Sequence, residues 1–80
     1  MDMNKLWAGS VYSTSLASSN EEGWIALELT RQLNEKLERV ARVIFWDADG
    51  QFYLEMFLPD APLSIIEALI AESKATIRVS

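Results

Sequence analysis

The sequence predicts an α+β two-layer sandwich of the ferredoxin-like kind, β-α-β-β-α-β, with an antiparallel sheet and both helices on one of its faces. Three observations predict it. Apolar residues recur first at period two, then at spacings of three and four, then twice at period two, then again helically and at period two. All of this fits within 80 residues, so residues 1–80 form a single domain. Half of the residues are hydrophobic, enough for a core and unlike a disordered chain.

Lys5 to Thr14 alternates loosely, with Trp7, Gly9 and Val11 on one side and Leu6, Ala8, Ser10 and Tyr12 on the other. That pattern predicts a first strand, with Gly9 as a weak point or bulge. Ser13–Ser19 reads as a serine-rich loop. Ser19 followed by Glu22 is a capping-box pattern, and Glu21 and Glu22 suit the positive end of a helix dipole. Ile25, Leu29, Leu33, Leu37 and Val40 then recur at three and four, predicting a first helix over about 20–40. On that reading Leu33→Ala opens a core cavity and costs about 2–5 kcal/mol.

Arg42–Asp47 and Gln51–Leu58 read as two strands joined at Asp47-Ala48-Asp49-Gly50. Asp47 is expected to bond turn backbone and Gly50 to supply a positive φ. Pro59 ends the second of these strands. Asp60 is the expected cap of a second helix, with Pro62 in its first turn and Leu63, Ile66, Leu69 and Ile70 as its buried stripe. Ala75, Ile77 and Val79 alternate with polar residues as a final edge strand.

Function follows first by exclusion. The chain has no cysteine and no histidine, which removes thiolate chemistry, disulfides, the usual general base and the commonest metal ligand. Asp47-Ala48-Asp49-Gly50 lacks the further ligands of a calcium loop and is explained as a turn. The expectation is therefore no cofactor, no metal and no enzymatic activity. No signal-like or membrane-spanning apolar run occurs, which fits a cytoplasmic protein. The formal charge of −5 disfavours nucleic acid and favours a basic partner surface.

Strand 51–58 places Phe52, Leu54, Met56 and Leu58 on one side and Gln51, Tyr53, Glu55 and Phe57 on the other. A three-residue turn pairs Asp47 with Gln51 and Trp46 with Phe52. This puts Trp46 and Ile44 in the core and leaves Val43, Phe45, Tyr53, Glu55 and Phe57 on an open face, joined by Tyr12. With Asp47 and Asp49 these form the candidate partner-binding set. Glu21, Glu22, Glu28, Glu35 and Glu38 form a second acidic cluster along the first helix.

The segment Arg42-Val43-Ile44-Phe45-Trp46-Asp47-Ala48-Asp49-Gly50-Gln51-Phe52-Tyr53, with Leu58-Pro59-Asp60-Ala61-Pro62 after it, resembles the hairpin of HicB-type antitoxins. That family continues through a further strand where this chain enters its helix. The element order also resembles amino-acid-sensing ACT domains, which pair through their sheets. In character the chain is similar to phage-encoded anti-CRISPR inhibitors and antitoxins, which implies a non-enzymatic module that blocks or sequesters a nucleic-acid-handling partner. The alternative is a homodimeric regulatory or ligand-sensing domain that pairs through its open sheet face.

Overall fold

The structure, a computed structural model, describes residues 4–7 and 10–77. Among the described residues it is α+β, with one antiparallel sheet and one helix. The ferredoxin-like arrangement is not what forms. The strands are β1 (Asn4–Trp7), β2 (Ser10–Ser19), β3 (Trp24–Leu33), β4 (Lys36–Trp46) and β5 (Gln51–Met56), and the helix is α1 (Leu63–Thr76). The sheet is a plain meander, ordered β1-β2-β3-β4-β5.

The largest departure is residues 20–40, expected as a helix and found as the β3–β4 hairpin. Leu33 pairs with Lys36 across Asn34 and Glu35. Asn34 takes the left-handed backbone (φ 58), which Asn tolerates better than most side chains because it bonds locally. The Ser19–Glu22 signal is chemically real: the Glu22 N–H donates to Ser19 Oγ at 3.2 Å. It closes the β2–β3 turn rather than opening a helix, since the same bond satisfies either element. The serine-rich stretch 13–19 is likewise strand, part of β2. Gly9 and residues 78–80 lie outside the described residues, while Ala75 and Thr76 belong to α1 instead of a last strand.

The second correction is a register. The β4–β5 loop has four residues, so Trp46 pairs with Gln51, Phe45 with Phe52, Ile44 with Tyr53 and Val43 with Leu54. The shift of one residue exchanges the faces of β4. Val43 and Phe45, expected on the open face, are buried on the helix side, and so is Tyr12. Ile44, expected beneath the helix, lies on the opposite face with Trp46.

The core forms where α1 crosses β3 and β4. Leu27, Leu29, Val40, Ala41 and Val43 meet Ile65, Ile66 and Leu69, with Tyr12 at the margin. A β-bulge between Leu29 and Thr30 in the β3–β4 pairing accompanies burial of both Val40 and Ala41. Helix α1 forms close to where it was expected, but Pro62 is its N-cap rather than part of its first turn, no side chain caps it, and Asp60, the expected cap, lies before it. Leu63 is 71% exposed, while Ile65 and Ser73 are fully buried. The Ser73 hydroxyl is satisfied by donating to the Leu69 carbonyl at 2.7 Å. Among the described residues no helix is long and apolar enough to cross a membrane.

Candidate interaction surface

The sheet face turned away from α1 is built in rows that cross the strands. Ser19, Trp24, Trp46 and Gln51 form one row; Ala17, Ala26, Ile44 and Tyr53 form the next. A third runs through Ser15, Glu28, Arg42 and Glu55. Ala26 and Ile44 are buried even though no helix among the described residues covers them. They are the short members of the face, lying between tryptophans on one side and long charged side chains on the other.

Those charges are spent on each other. Arg42 Nε contacts Glu55 Oε1 at 2.7 Å and Arg42 Nη1 lies 3.7 Å from Glu28 Oε2. Glu28 also takes Arg39 Nη2 at 3.1 Å. The chain Arg39–Glu28–Arg42–Glu55 is electrically neutral. The guanidinium of Arg39 stacks over Phe57 at 4.1 Å from the ring centroid, and that of Arg42 lies 5.3 Å from Trp24, contacts worth about 0.5–1 kcal/mol each at an exposed site. Glu55 and Phe57 are therefore on the open face as expected, but Glu55 is not a free acid.

On the helix side, Arg31 donates to Glu38 Oε1 from Nη2 at 2.7 Å and from Nε at 3.2 Å. That hydrogen bonding holds the Glu38 carboxyl below its ordinary value. Glu38 and Glu28 are thus both neutralised, so the expected acidic line along a first helix does not exist.

Four acids outside those ion pairs gather at one end of the sheet. The β2–β3 turn carries Glu21 and Glu22 and the β4–β5 turn carries Asp47 and Asp49, all exposed. The two turns are tied together by the Asp47 N–H, which donates to the Gly23 carbonyl at 2.9 Å. Gly23 has φ 74, and a Cβ there would rest 3.7 Å from Asp47 Cβ. Asp49 braces its own hairpin. Its Oδ1 accepts the Gln51 N–H at 3.0 Å and its Oδ2 accepts the Tyr53 hydroxyl, which pushes the Tyr53 phenol above its ordinary value. Glu22 accepts the Trp24 indole N–H at 3.0 Å. Four carboxylates thus sit beside Trp24, Trp46 and Tyr53, and neither turn contains a lysine or arginine.

Of the expected binding set, Asp47, Asp49, Tyr53, Glu55 and Phe57 are accessible, while Tyr12, Val43 and Phe45 are not. Trp24 and Trp46, half-buried on the open face, are absent from that set. The signal for Trp46 was its place directly before the acidic turn, where the register decides its face. No group of carboxylates among the described residues has metal-holding geometry. Comparison with family models, with curated proteins and with solved structures finds no match for this chain.

Proposed function

We propose that this chain is a small acidic binding module that blocks or sequesters a nucleic-acid-handling protein by occupying its basic surface. This is the mode of anti-CRISPR inhibitors and of antitoxins, and in this reading it acts without chemistry of its own, in the cytoplasm. The observation that carries it is the pairing of the two acidic turns. Folding brings Glu21 and Glu22 beside Asp47 and Asp49, and the tryptophans and Tyr53 give the charged end an aromatic flank. Charges in this arrangement steer a basic partner from a distance, and aromatic residues anchor it once it docks. The open-face homodimer has less in its favour, because Val43 and Phe45 lie under the helix and the remaining charges neutralise one another.

The test is an affinity pull-down from nuclease-treated bacterial lysate. The wild type is compared with a Glu21→Gln, Glu22→Gln, Asp47→Asn, Asp49→Asn variant, in which the carboxamide that replaces the Asp49 carboxylate can still accept a turn bond. Captured proteins are then challenged with a short single- or double-stranded oligonucleotide. The expected result is a nucleic-acid-binding protein that wild type retains at low salt, the variant does not, and the oligonucleotide displaces. Equal capture by both forms, or retention indifferent to oligonucleotide, overturns the proposal.

A further inference from the structure

Strand β5 has β4 on one side and no strand on the other among the described residues. Which of its backbone groups are unpaired follows from one hydrogen bond. The Phe57 N–H donates to the Val40 carbonyl at 2.8 Å, one step beyond the Ala41–Met56 pair. Hydrogen-bonded and non-bonded pairs alternate in an antiparallel ladder, so Arg42–Glu55, Ile44–Tyr53 and Trp46–Gln51 are the bonded pairs. The N–H and C=O groups of Phe52, Leu54 and Met56 therefore point outward, away from the sheet.

Soluble proteins blunt such an edge with proline, lysine or a bulge. From Gln51 to Leu58 there is no proline, lysine or glycine, and the one charge, Glu55, is engaged by Arg42 on the open face. The helix-side residues of the strand are apolar and unfinished: Leu54 is 45% and Met56 43% exposed. Beside them, between β5 and α1, lies a recess of about 220 Å³ lined by Val43, Phe52, Tyr53, Leu54, Ile70 and Lys74.

We infer that this edge pairs with the same edge of a second copy, joining two sheets into one across a two-fold axis at Leu54. The sequence about Leu54 is self-complementary in that register. Leu54 of one copy faces Leu54 of the other, and Phe52 faces Met56, so each outward N–H and C=O finds a partner and the helix-side row is apolar throughout. On the other face Tyr53 stands opposite Glu55 and Gln51 opposite Phe57. No like charges are opposed across the junction, which a two-fold interface must satisfy with one surface patch. Both helices stand on the same side of the joined sheet and wall the merged recess. Pairing closes the assembly, because both copies use the same edge for each other.

A single strand pair is a small interface, in the class below about 1,200 Å², so the dimer is weak and depends on concentration. Each copy carries a formal charge of −5, so salt screens their repulsion and the dimer holds or tightens as salt rises. That sign is opposite to the one expected for a basic partner.

The experiment is sedimentation velocity on the intact chain from about 1 μM to 1 mM, with amide hydrogen exchange followed by NMR over the same range. Expected are a concentration-dependent dimer and rising protection of the Phe52, Leu54 and Met56 amides, while those of Tyr53 and Glu55 are protected at every concentration. Leu54→Lys sets two cations face to face and weakens association at least tenfold. Leu54→Pro removes only an outward N–H, a position where proline is tolerated, and does the same. A chain that stays monomeric to about 1 mM overturns the inference. So does a dimer in which those three amides exchange as fast as in the monomer, a readout that needs no variant to fold.

Discussion

Leu29 and Leu33 distinguish this fold from the helix that their spacing advertises. In a helix, residues four apart share a face, so truncating either opens the same core and costs about 2–5 kcal/mol. In the hairpin they part company. Leu29 is 0% exposed within the cluster beneath α1, whereas Leu33 closes the β3–β4 turn and is 43% exposed. Fully burying a leucine side chain is worth about 1.5–3 kcal/mol, so a side chain little more than half buried, with no cavity to leave behind, loses about 1 kcal/mol. Leu37, at 68% exposed, loses less. The assay is urea unfolding of Leu29→Ala, Leu33→Ala and Leu37→Ala followed by tryptophan fluorescence. With a slope of about 1 kcal/mol per M for so small a domain, Leu33→Ala moves the midpoint by about 1 M or less. Leu29→Ala moves it by about 2 M or more, a loss comparable with much of the roughly 4–12 kcal/mol expected of a chain of this length. Equal shifts for Leu29 and Leu33, or a Leu33→Ala cost above about 2 kcal/mol, refute the burial argument and the hairpin with it.

Arg42→Gln removes the shared cation and leaves Glu28 and Glu55 as neighbours across one row of the sheet. A loss of about 1–2 kcal/mol is expected, smaller at 1 M salt, because the groups are partly exposed and screening weakens both the pairs and the repulsion left behind; a cost independent of salt argues against it. The Glu38 carboxyl is held below its ordinary 4.5 by the Arg31 hydrogen bond. Its contribution is fully present above that value and lost as pH falls through the lower folded one. Thermal unfolding of Glu38→Gln should therefore depend less on pH than wild type on the acid side of about 4.5, and parallel curves contradict this. The Tyr53 phenol donates to Asp49 and is raised above 10.0. Its contribution is present below 10.0 and lost as pH rises through the folded value. The difference in 295 nm absorbance between wild type and Tyr53→Phe should titrate above 10, and a midpoint at or below 10 counts against the bond.

Helix α1 and the β4–β5 hairpin were legible because their signals are local and unambiguous. Pro59 and Pro62 bracket the approach to α1, and Gly50 takes the positive φ that its type announces, although the carboxylate that bonds the turn is that of Asp49 and not the expected Asp47. Residues 20–40 were not legible for a specific reason. A spacing of four, as from Ile25 to Leu29 to Leu33, is one helical repeat and also two strand repeats. Leu27 belongs to the strand pattern, and it is buried with Leu29 in the core. Ser19 and Glu22 deepened the ambiguity, since their bond caps a helix or closes a turn equally well. In the hairpin the turn could be placed but not its length, and one extra residue was enough to move Val43 and Phe45 from surface to core. The acidic end was hidden for a related reason. Glu21, Glu22, Asp47 and Asp49 are far apart in the chain and meet only because β2–β3 and β4–β5 turn at the same end of one sheet.

The β4–β5 register underlies both the proposed acidic binding end and the proposed self-pairing edge, and NMR reads it directly. Non-hydrogen-bonded antiparallel pairs bring their Cα atoms to about 4.5 Å, so their Hα protons give strong cross-strand Overhauser effects. Such effects are expected between Val43 and Leu54, and between Phe45 and Phe52. Effects between Ile44 and Leu54, or between Trp46 and Phe52, would place the strand one residue away and contradict this register.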